Sequence, residues 1–203
     1  MKLYWFWSFN PQKVRLALHE LGLAHDLVAV DLFRGQQRHP DFVRLNPHAK
    51  VPVLEDGAMV LTESNAMLAY LGERERRLWP ADAAGKAAAL RWLFLEARHL
   101  SENVGNLWFN DFVAPQVKIP VSEADRARGA EEIAAPLGLV EVQLGKHAFV
   151  NGAEFSLVDC CYAPVLDALS LSAFDLAPYP NVSAYLARMR LRPAWAKCEF
   201  RTA

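Results

Sequence analysis

The chain has 203 residues, enough for one large domain or two small ones; 53% are hydrophobic by an inclusive count and 22% charged, an ordinary globular balance. A formal net charge of −1 gives no electrostatic pull toward nucleic acid or an acidic membrane, so neither is an expected partner. No apolar run approaches the roughly eighteen residues of a membrane span, and no signal peptide is read at the N-terminus. Cys160, Cys161 and Cys198, an odd count with two adjacent, form no disulfide framework, and the cytoplasm is the expected compartment.

Residues 1–78 alternate strands and helices. "KLYWF" (2–6) is a strand by its aromatic content, and 11–22 is a helix with Val14, Ala17, Leu18 and Leu21 on one face and Gly22 at its C-cap. "DLVAVD" (26–31) is a second strand and 39–45 a short helix. Residues 51–56, Gly57 and 59–62 make a strand, turn and strand, and 63–76 a helix. The order β-α-β-α-β-β-α argues for a compact α/β domain. A short linker, 78–85, leads to a second domain, 86–203, from which strands disappear. There the pattern predicts one long helix over 84–113, striped by Leu90, Leu93, Phe94, Ala97, Leu100, Val104 and Trp108. A second follows at 123–146, with Ile133, Leu137, Val140 and Leu144 on one face and a kink at Pro136 and Gly138. Further helices are predicted over 157–171 and 181–191.

Three short stretches carry chemical information. "NPHAKVPVLEDG" (46–57) puts a proline at the opening of a strand, where its missing N–H costs nothing. The Val51-Pro52 bond is either an ordinary trans edge proline or cis, in which case the backbone of Val51 can pair with an extended peptide as an added strand. "TESNAMLAYL" (62–71) places Ser64 at a helix N-terminus, whose free amides suit a carboxylate, with Glu63 beside it for an ammonium group; simple capping is the plainer reading. "FSLVDCCYAP" (155–164) reads as a capping box of Ser156 and Asp159 with Phe155 as staple against Cys160, a structural feature that leaves Cys160 and Cys161 as buried apolar groups. The six histidines form no metal-ligand spacing, so no metal site is expected. There is no GxSxG elbow and no glycine-rich phosphate loop.

The paired motifs "KVPVLEDG…TESNAMLAYL" and "FSLVDCCYAP", with the β-α-β-α-β-β-α order and the helical second half, resemble the cytosolic glutathione S-transferases over essentially the whole length. That resemblance implies α/β followed by all-α architecture: an N-terminal thioredoxin-like domain, an all-helical C-terminal domain, and a homodimer. It implies glutathione as cosubstrate, with Val51-Pro52 as a cis bond pairing with its cysteinyl part. Glu63 and Ser64 would hold the γ-glutamyl end, and Lys50 or Gln37 the glycyl carboxylate. Where thioredoxin-like proteins with their own redox chemistry carry a cysteine, this chain has "SFNP" (8–11). The reactive sulfur would therefore be glutathione's, with Ser8 donating a hydrogen bond to it and the amides around Phe9 and Asn10 adding partial positive charge. Tyr4 lies within the first strand and is no substitute. Trp7, Trp108, Phe109 and Phe112 would bound an apolar site for a small hydrophobic electrophile. The Ser-x-Asn spacing is also similar to a subgroup in which the asparagine contacts the sulfur and disulfides are reduced, so glutathione-dependent reduction of a disulfide or peroxide stands as an alternative. A non-catalytic binding module is a third.

Overall fold

The computed structural model describes residues 1–198; the last five positions of the second expected domain lie outside that range. The first half holds β1 (Lys2–Trp5), α1 (Phe9–Leu21), β2 (Asp26–Ala29), α2 (Pro40–Leu45), β3 (Val53–Asp56), β4 (Met59–Leu61) and α3 (Ser64–Glu75). The sheet runs β2-β1-β3-β4. β1 and β2 are parallel, Lys2 beside Asp26, as a crossover through α1 requires; β1–β3 and β3–β4 are antiparallel. Side chains alternate across the strands. Leu3 and Leu54 point into the main core with α1 and α3, whereas Tyr4, Val30 and Val53 pack with Phe42 of α2 on the other face. This is the expected thioredoxin-like half.

The second half is helical: α4 (Ala83–Leu95), α5 (Ser101–Trp108), α6 (Ala114–Val117), α7 (Glu123–Lys146), α8 (Leu157–Leu169), α9 (Pro180–Arg190) and α10 (Pro193–Ala196). Every residue of α8 is buried, as befits a helix apolar on all sides. The capping box forms, with Asp159 accepting from the N–H of Ser156 at 2.8 Å. Its carboxylate also takes the N–H of Val150 at 3.0 Å and the hydroxyl of Tyr185 at 3.2 Å, so one side chain ties α8 to the preceding loop and to α9. Phe155 lies edge-on to Phe149 and beneath the Arg192 guanidinium. No helix among the described residues is long and apolar enough to cross a membrane.

Two expectations need correction. The long helix is not one regular rod: π-helical turns at 96–100 and 109–113 separate α4, α5 and α6. Each inserted turn rotates the side chains that follow it, while α4, ahead of both turns, sets its Ala89, Trp92 and Leu93 face to the core, and the supposed stripe divides. Trp92, Leu93, Leu100, Val104 and Trp108 are buried, but Phe94 is 70% exposed and Leu90 38% exposed, with Ala97 beside them at the surface. α7 runs from Glu123 to Lys146 with Pro136 inside it, and the carbonyl that loses its donor belongs to the exposed Glu132, open to solvent. Finally, α1 begins at Phe9 rather than residue 11, which makes Ser8 its N-cap.

Candidate active site

Ser8 has the extended backbone of an N-cap (φ −83°, ψ 161°), yet its hydroxyl makes no capping bond. The sequence accounts for part of this. A serine cap accepts from the second or third helical N–H; the third residue here is Pro11, which has none, so only the amide of Asn10 remains and it does not bond the hydroxyl. The hydroxyl therefore stays available at a half-buried position, beside the first amides of α1. Asn10, one turn into the site, accepts a long hydrogen bond from Ser64 Oγ at 3.5 Å, so the starts of α1 and α3 meet.

The third edge of this hollow is the strand opening. Val51-Pro52 is cis. The β1–β3 ladder stops at Tyr4–Val53, and the backbone groups of Val51 lie beyond it. Asn46, 4% exposed, fixes the turn before it. Its amide donates to Lys50 O at 2.7 Å and its oxygen accepts from the N–H of His48 at 3.0 Å, while Ala49 sits at φ 52°. Nothing in composition marked Asn46; the Asn-Pro-His-Ala run was the available signal. Lys50 is exposed, and Gln37 is half-buried, its Nε2 donating to Leu32 O at 3.3 Å. Glu63 takes φ 67° and ψ 108°, a conformation that costs a non-glycine residue about 1–3 kcal/mol. Ser64 is the first helical residue of α3, 8% exposed, rather than its N-cap.

An aromatic wall stands over the turn. Trp7 and Phe9 lie edge-on to Trp108, at ring distances of 5.5 and 5.7 Å, and Trp108 stacks with Phe112 at 6.5 Å. Phe33 and Phe6, neither singled out from sequence, extend the wall against Trp7. Phe109 packs on the core and has no ring contact with this group. A recess of about 700 Å³ lies elsewhere, on the α2 face between Val28, Arg38 and Leu45. It touches none of these groups and is a shallow surface trough.

Beneath the hollow, Glu96 is fully buried and receives donors from four elements. Lys13 Nζ is at 2.8 Å, Asn65 Nδ2 at 2.8 Å, the Cys161 thiol at 3.2 Å, and Ser101 donates as well. Burial opposes the charge, but Lys13 and the hydrogen bonds outweigh it and hold the carboxyl below its usual range. The protein's own sulfurs are inert. Burial pushes the thiols of Cys160 and Cys161 far up, with Glu20 and Glu96 respectively adding to it, and lifts Cys198 to about 12. No cluster of potential metal ligands occurs among the described residues.

The first half is thioredoxin-like in its sheet order, and the turn that opens α1 carries a serine hydroxyl and no thiol. Residues 7–74 match the family model for the glutathione S-transferase N-terminal domain, and residues 123–188 the model for the C-terminal domain. Glutathione S-transferase 3 of Zea mays is 35% identical, the match covering 97% of this chain and 92% of that one. Disulfide-bond oxidoreductase YfcG of Escherichia coli is 31% identical, over 95% and 91%. The crystal structure of a glutathione transferase from Burkholderia graminis, with two glutathione molecules bound per subunit, superposes with a TM-score of 0.84 at 29% identity, over 97% of this chain and 86% of that one. The chain belongs to the glutathione S-transferase family.

Proposed function

We propose that this enzyme ionises the thiol of glutathione at Ser8 and directs it at the carbon of a small hydrophobic electrophile. The observation that carries the reading is the uncommitted hydroxyl of Ser8, which makes no capping bond and is set against the amides of α1. A free thiol of pKa about 8.5 is only a few per cent ionised at neutral pH. Lowering it by about 1.5 units takes roughly 2 kcal/mol, within reach of one charge-assisted hydrogen bond and a helix terminus together. Val51 would pair with the cysteinyl backbone, Glu63 and Ser64 with the γ-glutamyl end, and Lys50 with the glycyl carboxylate. Gln37 is the weaker candidate for that carboxylate, since its amide nitrogen is already engaged. Trp7, Trp108 and Phe112 would wall the electrophile's site, with Phe109 behind them. The division into domains at 78–85, the cytoplasmic setting and a homodimer belong to the same proposal.

The test is Ser8→Ala. It should lower kcat for conjugation of 1-chloro-2,4-dinitrobenzene at least about tenfold. It should also raise the thiol pKa seen in the pH dependence of kcat/KM, with glutathione KM little altered. Unchanged turnover would remove Ser8 from the mechanism. A second reading, glutathione-dependent disulfide reduction, is favoured by the contact between Asn10 and Ser64 and by the likeness to YfcG. Loss of hydroxyethyl disulfide reduction alone in Asn10→Ala would select it.

A further inference from the structure

Gln12 lies one turn into α1 and is 1% exposed, yet among the described residues neither its Nε2 nor its Oε1 has a hydrogen-bond partner. Buried amides are almost always paired, because stripping one of water without replacement is costly. Gln12 lines a slit walled by Trp7, Phe9 and Trp108 on one side and by Asp167, Ala168 and Leu171 at the end of α8 on the other. The Asp167 carboxylate is already engaged by Arg190 at 2.8 Å. Trp7 and Phe9 are the chain neighbours of Ser8, and Trp108 packs edge-on to both. The slit measures about 10 Å³, room for a single oxygen-sized group.

Resting on the transferase reading, we propose that Gln12 is the polar anchor of the second-substrate site and selects aromatic electrophiles that carry a hydroxyl group remote from the reacting carbon. Size and polarity converge on that group. A hydroxyl is as small as the slit demands and both donates and accepts, so its O–H serves Oε1 while its oxygen takes a hydrogen from Nε2. A water molecule can serve the same two atoms between turnovers, and a hydroxyl that displaces it reproduces its bonds. A methyl group of equal size satisfies neither atom and strands the amide, which is how a site built around a hydrogen bond rejects an apolar isostere.

Two product-like ligands, S-(4-hydroxybenzyl)glutathione and S-(4-methylbenzyl)glutathione, differ only in that group, and calorimetry on the whole protein gives both affinities. The wild type should hold the hydroxyl ligand at least about tenfold more tightly, and Gln12→Leu should bring the two within about twofold of each other. Gln12→Met, an unbranched alternative of similar length, should do the same. Both variants should melt no lower than the wild type, since they remove an unpaired buried amide. Equal affinities in the wild type, or a preference that survives in both variants, would overturn the proposal. If neither ligand bound the wild type at all, the glutathione reading itself would fall, and the anchor with it.

Discussion

Single residues in this chain do work that their type alone does not announce. Ser8 and Ser156 are both helix N-caps, but only Ser156 has a third helical residue, Asp159, that answers it; Pro11 denies Ser8 the same service. That difference was written in the sequence, as was the inertness of the adjacent cysteines. Glu63's backbone and the orphaned amide of Gln12 were not, because both depend on how distant segments close around them. Titration shows the same dependence on surroundings. His19 is drawn down to about 4 by burial, with His25 adding to it, and Asp159 is lifted to about 6 by burial against the pull of its donors. The two act in opposite senses. His19 binds its proton less tightly folded than unfolded, so its contribution to stability is present above pH 6.5 and lost as pH falls toward 4. Asp159 binds its proton more tightly folded, so its contribution is full below pH 3.8 and lost as pH climbs through 6. His19→Gln should therefore flatten the fall in melting temperature between pH 7 and pH 5. An equal fall in wild type and variant would show that His19 does not titrate in this way.

At the scale of elements, the motifs were legible and the registers were not. The element order followed from alternating strands and helices, and the capping box from its spacing. The stripe along residues 84–113 was misread because apolar residues occupy both faces of α4, and because a 3.6-residue period cannot anticipate the two π turns beyond it. The first of those turns opens at Glu96 and seats its carboxylate between α1, α3 and α8. There, Lys13 and Glu96 are 1% and 0% exposed. Lys13→Met leaves a buried carboxylate without its cation and should cost about 3–5 kcal/mol in denaturant unfolding. Lys13→Met combined with Glu96→Gln removes both charges and should recover most of that loss. Losses that simply add would mean the two side chains do not act as a pair.

The molecule leaves a row of apolar side chains on α4 uncovered by its own core. Leu90, Phe94 and Ala97 follow at i, i+4 and i+7 along α4 and the turn after it, all on the side turned away from α1 and α8, and Val60 of β4 is 43% exposed as well. A phenylalanine 70% exposed in a row with other apolar groups marks an association surface more often than a solvent-facing one. The homodimer proposed above would bury this row against its counterpart, since a two-fold contact presents the same patch from both chains. Phe94→Glu would then place a carboxylate, and its two-fold mate, in an apolar seam, where desolvation and like-charge repulsion oppose association. Analytical ultracentrifugation at micromolar concentration should show the wild type at twice the chain mass and Phe94→Glu at the single-chain mass, with helical circular dichroism retained. A wild type that sediments as a single chain would refute the dimer. A Phe94→Glu variant that sediments as a dimer would move the contact to another face, because no apolar seam of this kind tolerates two unpaired carboxylates.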